Sequence, residues 1–463
     1  MISLTAAQIA EIVGGTVSSA ADGDIVVSGI ARIDSRDLSP GDLFIAFFGE
    51  NVDGHDFVEQ AFAGGAVLAL VSRPVWAPHV LVADTTAAAS ALARFNILAV
   101  KPTCTVIAIT GSSGKTSTKD LLAAVLETHG STIAPPGSFN NEIGLPLTVL
   151  RANESTQYLI LEMGARGLGH LEWLCSIAPP DISMVLNVGA AHLGEFGDLE
   201  TTAIAKGEIV VALSPSGIAV LNADDDRVRA MASRTQARSV FFGSDPDNLA
   251  FASNSEIDSE GFAHFDLCIQ GQSPARVDLK VPGRHQISNA LAVAAVAAES
   301  GMSAERIATA LSAAGPRSRW RMEVMTNRSG VTVINDAYNA NPDSMAVAVQ
   351  AVQDIATTRR FGIVLGEMLE LGELSQQAHQ DLGTAVGKAG PAWVVAVGSV
   401  GDQIAQGIAT SGAGQVAVHL AHDASAATDL VRELVQPGDV VLIKASRGIG
   451  LEVVATSLLG DAQ

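Results

Sequence analysis

The run Val106-Ile-Ala-Ile-Thr-Gly-Ser-Ser-Gly-Lys-Thr-Ser-Thr118 restricts this chain more than any other stretch. A β-branched segment, Thr105–Thr110, gives way to two glycines with a lysine and a threonine behind them, and a helix-competent segment, 117–129, follows. Strand, tight loop and helix start, in that order, aim loop N–H groups and the positive end of a helix at one place, which is a cradle for phosphate oxygens. Gly111 and Gly114 let the backbone approach without a Cβ in the way. Ser112, Ser113 and Ser117 complete the loop, Lys115 can neutralise β- and γ-phosphates, and the Thr116 hydroxyl can ligate Mg²⁺. The spacing is G-x-x-G-K-T. Ile109 stands where the commoner phosphate loop, with four residues between its glycines, has the first of them. A surface Gly-Ser turn is the alternative reading.

A chain of 463 residues is too long for one ordinary domain. Only 4% of the residues are aromatic while 48% are hydrophobic, so Ala, Val, Leu and Ile must build the core, which suits sheets covered by helices. Residues 1–98 read as a small α/β domain, with helices at 6–13, 56–63 and 85–100 and short strands at 25–27, 43–47, 67–71 and 80–83. Residues 99–315 read as a central phosphate-loop domain on a mainly parallel sheet. Its strands are expected at 105–110, 158–162, 183–187, 218–221 and 239–242, with a hairpin around Gly271-Gln272-Ser273 and helices at 117–129, 287–299 and 304–313. Gly315-Pro316 marks a break. Residues 316–463 alternate again and predict a Rossmann-like α/β domain, with strands at 331–335, 361–365, 393–397, 416–420 and 440–444.

The net charge is −21, and no basic cluster offsets it, which argues against a nucleic-acid groove. The same charge repels an anionic nucleotide, so a phosphate site here must gather its own cations and metal. Cys104, Cys175 and Cys268 show no paired spacing and read as reduced thiols of a cytoplasmic protein. The first residues lack the charged start and apolar run of a secretory signal, and no stretch is apolar for long enough to enter a membrane.

Six further places come into question. Glu162 ends the apolar run Leu159-Ile-Leu-Glu162, where a carboxylate can reach a hard cation or simply meet solvent. His192, in Asn187-Val-Gly-Ala-Ala-His192, and Lys206, in Ala205-Lys-Gly-Glu-Ile209, read from composition alone as an ordinary histidine and an exposed helix lysine. Asn335-Asp-Ala-Tyr-Asn-Ala-Asn-Pro-Asp-Ser344 leaves a strand end and enters a helix capped by Asp343 or Ser344; it is a ligand-binding position in an open α/β sheet or a plain Asn-Pro turn. Arg284 and His285 precede an alanine-rich helix, and Lys444-Ala-Ser-Arg447 follows a strand end, where cations can meet a carboxylate or phosphate.

Taken together these segments resemble the Mur ligase family, the ATP-dependent amide ligases of cell-wall precursor synthesis. The matching positions are the loop at 110–118, Glu162, His192, Lys206-Gly-Glu208, Gly283-Arg-His285 with Asn289, Arg321-Met-Glu323 and the Asp336 segment. Asp34-Ser-Arg36, Pro40-Gly-Asp-Leu-Phe44 and Asp53-Gly-His-Asp-Phe57 look like the UDP-binding domain of two branches. Asn140-Asn-Glu-Ile-Gly-Leu-Pro146, Glu162-Met-Gly-Ala165, Asp336–Ser344, Gly366-Glu-Met-Leu-Glu-Leu-Gly372 and Lys444-Ala-Ser-Arg447 look like the branch that adds D-alanyl-D-alanine. The resemblance implies joining of D-alanyl-D-alanine to UDP-N-acetylmuramoyl-tripeptide through an acyl phosphate, by a monomer in the bacterial cytoplasm. It implies ATP on residues 111–117, Asn289 (adenine), Asp336 (ribose) and Arg321 (phosphates). It implies one Mg²⁺ on Thr116 and Glu162, and a second served by His192 and a carbamylated Lys206, with Lys115, His192 and Lys206 acting in catalysis. Ser35 and Arg36 would lie near the uridine, Asn140, Asn141 and Arg166 along the muramoyl-peptide, and Asn339, Asn341, Lys444 and Arg447 toward the dipeptide. A folylpolyglutamate-synthase-like ligase and a non-enzymatic nucleotide switch are the rival readings.

Overall fold

The computed structural model describes every residue except 50–51, 190–195, 413, 415 and 461–463. The first part holds β1 (Leu4–Thr5), β2 (Thr16–Val17), β3 (Val26–Val27), β4 (Ala31–Arg32), β5 (Asp42–Ile45), β6 (Ala66–Val71) and β7 (His79–Leu81). β1 and β3 pair, and the other five form a sheet in the order β2-β7-β6-β5-β4. The helix Thr85–Val100, capped by the Asp84 carboxylate, leads out of it. That helix packs on the helices Ala6–Val13, Gly144–Val149 and His170–Ile177, so one hydrophobic cluster runs from Met1 through Leu92 and Ile97 to Val106 and Leu159. Asn96, fully buried in it, accepts from the Ile2 N–H at 2.9 Å and donates to the Val149 and Ala152 carbonyls, so a buried amide ties the first module to the second.

The central sheet has nine strands in the order β16-β15-β14-β13-β12-β11-β8-β10-β9. They are β8 (Thr105–Thr110), β9 (Thr132–Ile133), β10 (Tyr158–Glu162), β11 (Ile182–Val185), β12 (Ile218–Asn222), β13 (Arg238–Phe242), β14 (Ala250–Ile257), β15 (Phe262–Ile269) and β16 (Ala275–Pro282). β9 to β14 and β8 run parallel, and β15 runs antiparallel to both its neighbours, β14 and β16. Alternate side chains of β8 enter different cores: Val106 and Ala108 join the cluster with Leu92, while Ile107 and Ile109 join Leu121, Leu122 and Val125. A sheet covered on both faces demands this unbroken apolar run. The helix Gln286–Glu299 is almost wholly buried, and its many alanines bring it close to the helix Lys115–Leu126. The chain leaves β8 toward β10 on one side and reaches β11 on the other, so the strand order reverses at the phosphate loop, which is where open α/β sheets bind ligands.

The third sheet, β17-β18-β22-β19-β20-β21, comprises β17 (Glu323–Thr326), β18 (Thr332–Asp336), β19 (Phe361–Leu365), β20 (Trp393–Val397), β21 (Ala417–Ala421) and β22 (Val440–Lys444). All of its pairs are parallel except the edge pair β17–β18. Asp336 and Lys444 end neighbouring strands in register. The helix at 342–356 starts earlier than expected. Asn341, not Asp343 or Ser344, is its cap, accepting from the Ser344 N–H at 2.8 Å, and Pro342 takes the first turn, where its fixed φ suits a helix.

The hairpin at the far edge of the central sheet carries a pH-dependent contact. His264 bridges Asp278 (Nδ1 to Oδ1, 2.7 Å) and Asp258 (Nε2 to Oδ2, 3.0 Å), with Arg276 3.4 Å from Asp278. The two carboxylates raise the His264 pKa, and the imidazole helps lower theirs. A raised histidine pKa contributes stability at low pH that is lost as pH climbs through it; the lowered carboxylates contribute above their unfolded range and lose it on acidification. The bridge is therefore strongest between about pH 4 and 6.5. His264→Asn is expected to cost about 0.5 kcal/mol near pH 5.5 and almost nothing near pH 9 in urea unfolding, as suits a partly exposed bridge. An equal cost at both pH values would show that the imidazole charge plays no part.

Candidate functional site

The carboxyl ends of the central and third sheets face each other across a cleft of about 480 Å³. Its first wall is the phosphate loop. Gly114, at φ +81°, occupies the cap position of the helix Lys115–Leu126, with no side chain capping it. The helix therefore starts two residues before its expected first residue, Ser117, and Lys115 and Thr116 belong to its first turn. The first N–H groups of any helix lack intrahelical acceptors, so this turn presents donors to the cleft. A Cβ on Gly114 would lie 2.8 Å from the Asn289 amide oxygen, so close packing as well as backbone conformation requires glycine here. Asn187, just beyond β11, fixes the loop: its Oδ1 accepts from the Ser113 N–H at 2.9 Å and its main-chain carbonyl from the Ser112 N–H at 3.2 Å.

Lys115 donates to the Gly111 carbonyl at 2.6 Å. Burial lowers its pKa, Glu162 opposes that shift, and Arg321 adds to it. The Thr116 hydroxyl donates to Glu162 Oε2 at 3.0 Å. The other Glu162 oxygen accepts from Ser138 at 2.6 Å and Asn140 at 2.8 Å. Glu162 is 1% exposed, so it is not the solvated strand-end carboxylate of the alternative reading. Asn140, Asn141 and Arg166 line the cleft beside it. Asn141 accepts from the Gly144 N–H at 2.9 Å, and Arg166 pairs with Glu142 at 3.0 Å.

The opposite wall belongs to the third sheet. Lys444 Nζ donates to Asp336 Oδ2 at 2.6 Å and to the Asn339 carbonyl at 2.8 Å. Burial lowers the Lys444 pKa against the pull of Asp336. The other Asp336 oxygen accepts from the Met322 N–H at 3.1 Å. The half-buried His285 ring faces this pair, and desolvation pushes its pKa down to about 4, so the imidazole stays neutral. Asn341 spans the walls, its Nδ2 3.5 Å from the Ser112 carbonyl. Arg321 lies over the Tyr338 ring, 4.2 Å from its centroid. The residues beside it, Trp320 (φ +59°) and Met322 (φ +49°), are left-handed, at about 1–2 kcal/mol each for residues with a Cβ.

Thus the loop residues 112–117, Asn140, Asn141, Glu162, Arg166, Asn289, Arg321, Asp336, Asn339, Asn341 and Lys444 share one cleft, and Gly111 borders it through Lys115. The positive charge that an acidic chain needs for a phosphate ligand is supplied there by Lys115, Arg166, Arg321 and Lys444. Lys206 is not the exposed helix lysine that composition suggests: it is 1% exposed on the helix Leu199–Val211, and desolvation, with Lys115 nearby, holds its pKa well below the ordinary lysine value. Ser35, bonded to Gln60, and Arg36, paired with Asp34, sit on the first module away from the cleft. Arg447 also lies outside it, over the Trp320 ring at 4.1 Å and paired with Glu452. His192 falls outside the described residues. Asn187, Ser138 and Tyr338 were not foreseen as site residues. The only signal for them is a polar side chain just past a strand end or in a loop beside one.

Comparison with known proteins agrees along the chain. Residues 28–106 match the Mur ligase family catalytic domain, 109–297 the Mur ligase middle domain and 320–447 the Mur ligase glutamate ligase domain. A UDP-N-acetylmuramoyl-tripeptide–D-alanyl-D-alanine ligase of Mycobacterium tuberculosis is 46% identical, with 100% of this chain and 98% of that protein covered. The Escherichia coli ligase of the same name is 38% identical, with 99% of each covered. Among solved structures, MurF from Acinetobacter baumannii superposes with a TM-score of 0.86 at 30% identity over 99% of both chains. MurF from Thermotoga maritima, in complex with ADP, does so at 0.78 and 29% identity over 93% of this chain and 97% of that one.

Proposed function

The chain belongs to the Mur ligase family, and from that premise we propose that it joins D-alanyl-D-alanine to UDP-N-acetylmuramoyl-tripeptide, converting ATP to ADP and phosphate. One observation carries the reading: a single cleft holds the Gly-Lys-Thr loop on one wall and the Asp336–Asn341 segment with Lys444 on the other. A nucleotide and a second substrate can meet only where both walls are present. The setting is the bacterial cytoplasm, in keeping with three free cysteines and with no described helix long and apolar enough to cross a membrane.

A carboxylate does not accept an amine until one of its oxygens becomes a leaving group. An oxygen of the tripeptide's terminal carboxylate attacks the γ-phosphorus, and ADP departs. The dipeptide amine then attacks the carbonyl carbon and loses a proton, and phosphate leaves with the oxygen that came from the carboxylate. Lys115 and the first turn of its helix offset charge on the β- and γ-phosphates, and Arg321 does so from the far wall. Asn289 faces the base, and Asp336 meets the ribose with lone pairs left over from Lys444 and Met322. Ser35 and Arg36 hold the uridine end, and Asn140, Asn141 and Arg166 border the muramoyl-peptide. Asn339, Asn341, Lys444 and, more remotely, Arg447 frame the dipeptide side. The closed approach of the two walls keeps water from an acyl phosphate that it would hydrolyse.

The oxygen donors of Thr116 and Glu162, 3.0 Å apart beside Lys115, fit a hard divalent cation. Mg²⁺ there would neutralise phosphate charge and orient the leaving group. Lys206 fits a second position only after carbamylation, because a buried amine kept neutral attacks CO₂ and becomes an oxygen ligand; the family resemblance assigns His192 to the same ion.

The test is ADP release with each acceptor. Release requiring both UDP-tripeptide and D-alanyl-D-alanine is the expected result. Folate-dependent turnover, or equal turnover with ATP alone, would overturn the reading.

A further inference from the structure

Among the described residues, an aromatic ring and not a hydrogen-bond acceptor holds Arg321. Its guanidinium carbon sits over the Tyr338 ring, 4.2 Å from the centroid, and among the described residues its buried Nε has no hydrogen-bond partner. Guanidinium N–H groups point outward in the plane of the group, so a ring beneath that plane fixes the side chain and leaves the fork free. A carboxylate partner would have consumed the same donors. The backbone on either side is gripped by the loop that carries the ring. The Trp320 carbonyl accepts from the Tyr338 N–H at 3.2 Å, and the Met322 N–H donates to Asp336 at 3.1 Å. Both gripped residues are left-handed, and Met322 is buried in the third-sheet core. On the outer side Arg447 stacks on Trp320, so the loop after β22 braces the same short bracket.

We propose that Tyr338 is a positioning residue for the reaction: its ring aims the Arg321 fork at the nucleotide phosphates. The proposal rests on the reading that Arg321 meets those phosphates. Aromatic support of this kind acts through the arginine and has no value without it. Loss of the ring therefore lowers kcat, where phosphoryl charge is stabilised, and leaves KM for the dipeptide nearly unchanged.

The experiment is a double-mutant cycle with steady-state kinetics, ADP titration and thermal unfolding on each variant. Tyr338→Phe keeps the ring face and is expected to hold kcat within about twofold, whereas Tyr338→Leu lowers it on the order of tenfold. Tyr338→Ser serves as a second truncation should the leucine variant fold poorly. In the Arg321→Ala background neither truncation costs anything further, because coupled residues are not additive. A full additional loss in that background would overturn the proposal while leaving the phosphate role of Arg321 intact, since the ring would then act on its own. A Phe variant as slow as the Leu variant would also overturn it. Near-normal kcat in Arg321→Ala would remove the phosphate reading and this inference together.

Discussion

Lys115→Ala is expected to lower ADP formation by about a thousandfold or more, the scale of losing a preorganised charge at a phosphoryl transfer centre. The fold should survive it. The side chain is half-buried and makes one hydrogen bond to its own loop, to the Gly111 carbonyl, while Asn187 keeps the loop in place through Ser112 and Ser113. Lys115→Arg retains the charge but not the compact ammonium, and should recover little, because a planar fork cannot occupy the same turn. Thermal unfolding of the Ala variant checks that the loss is chemical. Near-normal turnover in a folded Lys115→Ala protein would show that this loop does not hold the reacting phosphates.

The second large effect concerns Lys206. An ordinary lysine near neutral pH keeps only about one amine in a thousand unprotonated, too few for stable carbamylation. Burial, with Lys115 nearby, moves Lys206 toward the neutral form. Lys206→Met keeps the apolar stem in its buried place, and Lys206→Ala removes it; both should lose on the order of a hundredfold or more in kcat, and bicarbonate should restore neither. The wild-type protein stripped of CO₂ at mildly acid pH should regain activity with bicarbonate, and its mass under bicarbonate should exceed the stripped mass by one CO₂. Unchanged activity in the Met variant, with no mass gain in the wild type, would reject the carbamate.

The phosphate loop was legible because its signal is local: a buried strand, two glycines, then lysine and threonine within a dozen residues. Glu162 and Asp336 were legible for a related reason, since each ends an apolar run. What sequence could not show is who meets whom across the sheet. Asn187 reaches the loop because β11 lies beside β8, a neighbour relation created by a crossover. Tyr338 finds Arg321 only once β17 folds back on β18. The helix around Lys206 was expected, but not its extent, Leu199–Val211, because Thr202, Ala205, Lys206, Gly207, Ile209 and Val210 are buried on several sides, which erases the helical period. That same burial turned the exposed lysine of composition into a desolvated one. The helix Gly144–Val149 opens on glycine with proline at its third position, residues that disfavour a helix interior, although a first turn tolerates them. β14 runs Ala-Phe-Ala and then four polar residues before Ile257, with no alternation to mark a strand, and its hairpin partner supplies the pairing.

The claim beneath all of this is that the γ-phosphoryl group passes to the tripeptide's carboxylate before the amide forms. It is tested most directly by labelling that carboxylate with heavy oxygen and weighing the phosphate released during turnover with ATP and D-alanyl-D-alanine. The account predicts one labelled oxygen in each phosphate. Unlabelled phosphate, with the displaced heavy oxygen found in water or carried off on AMP, would contradict it.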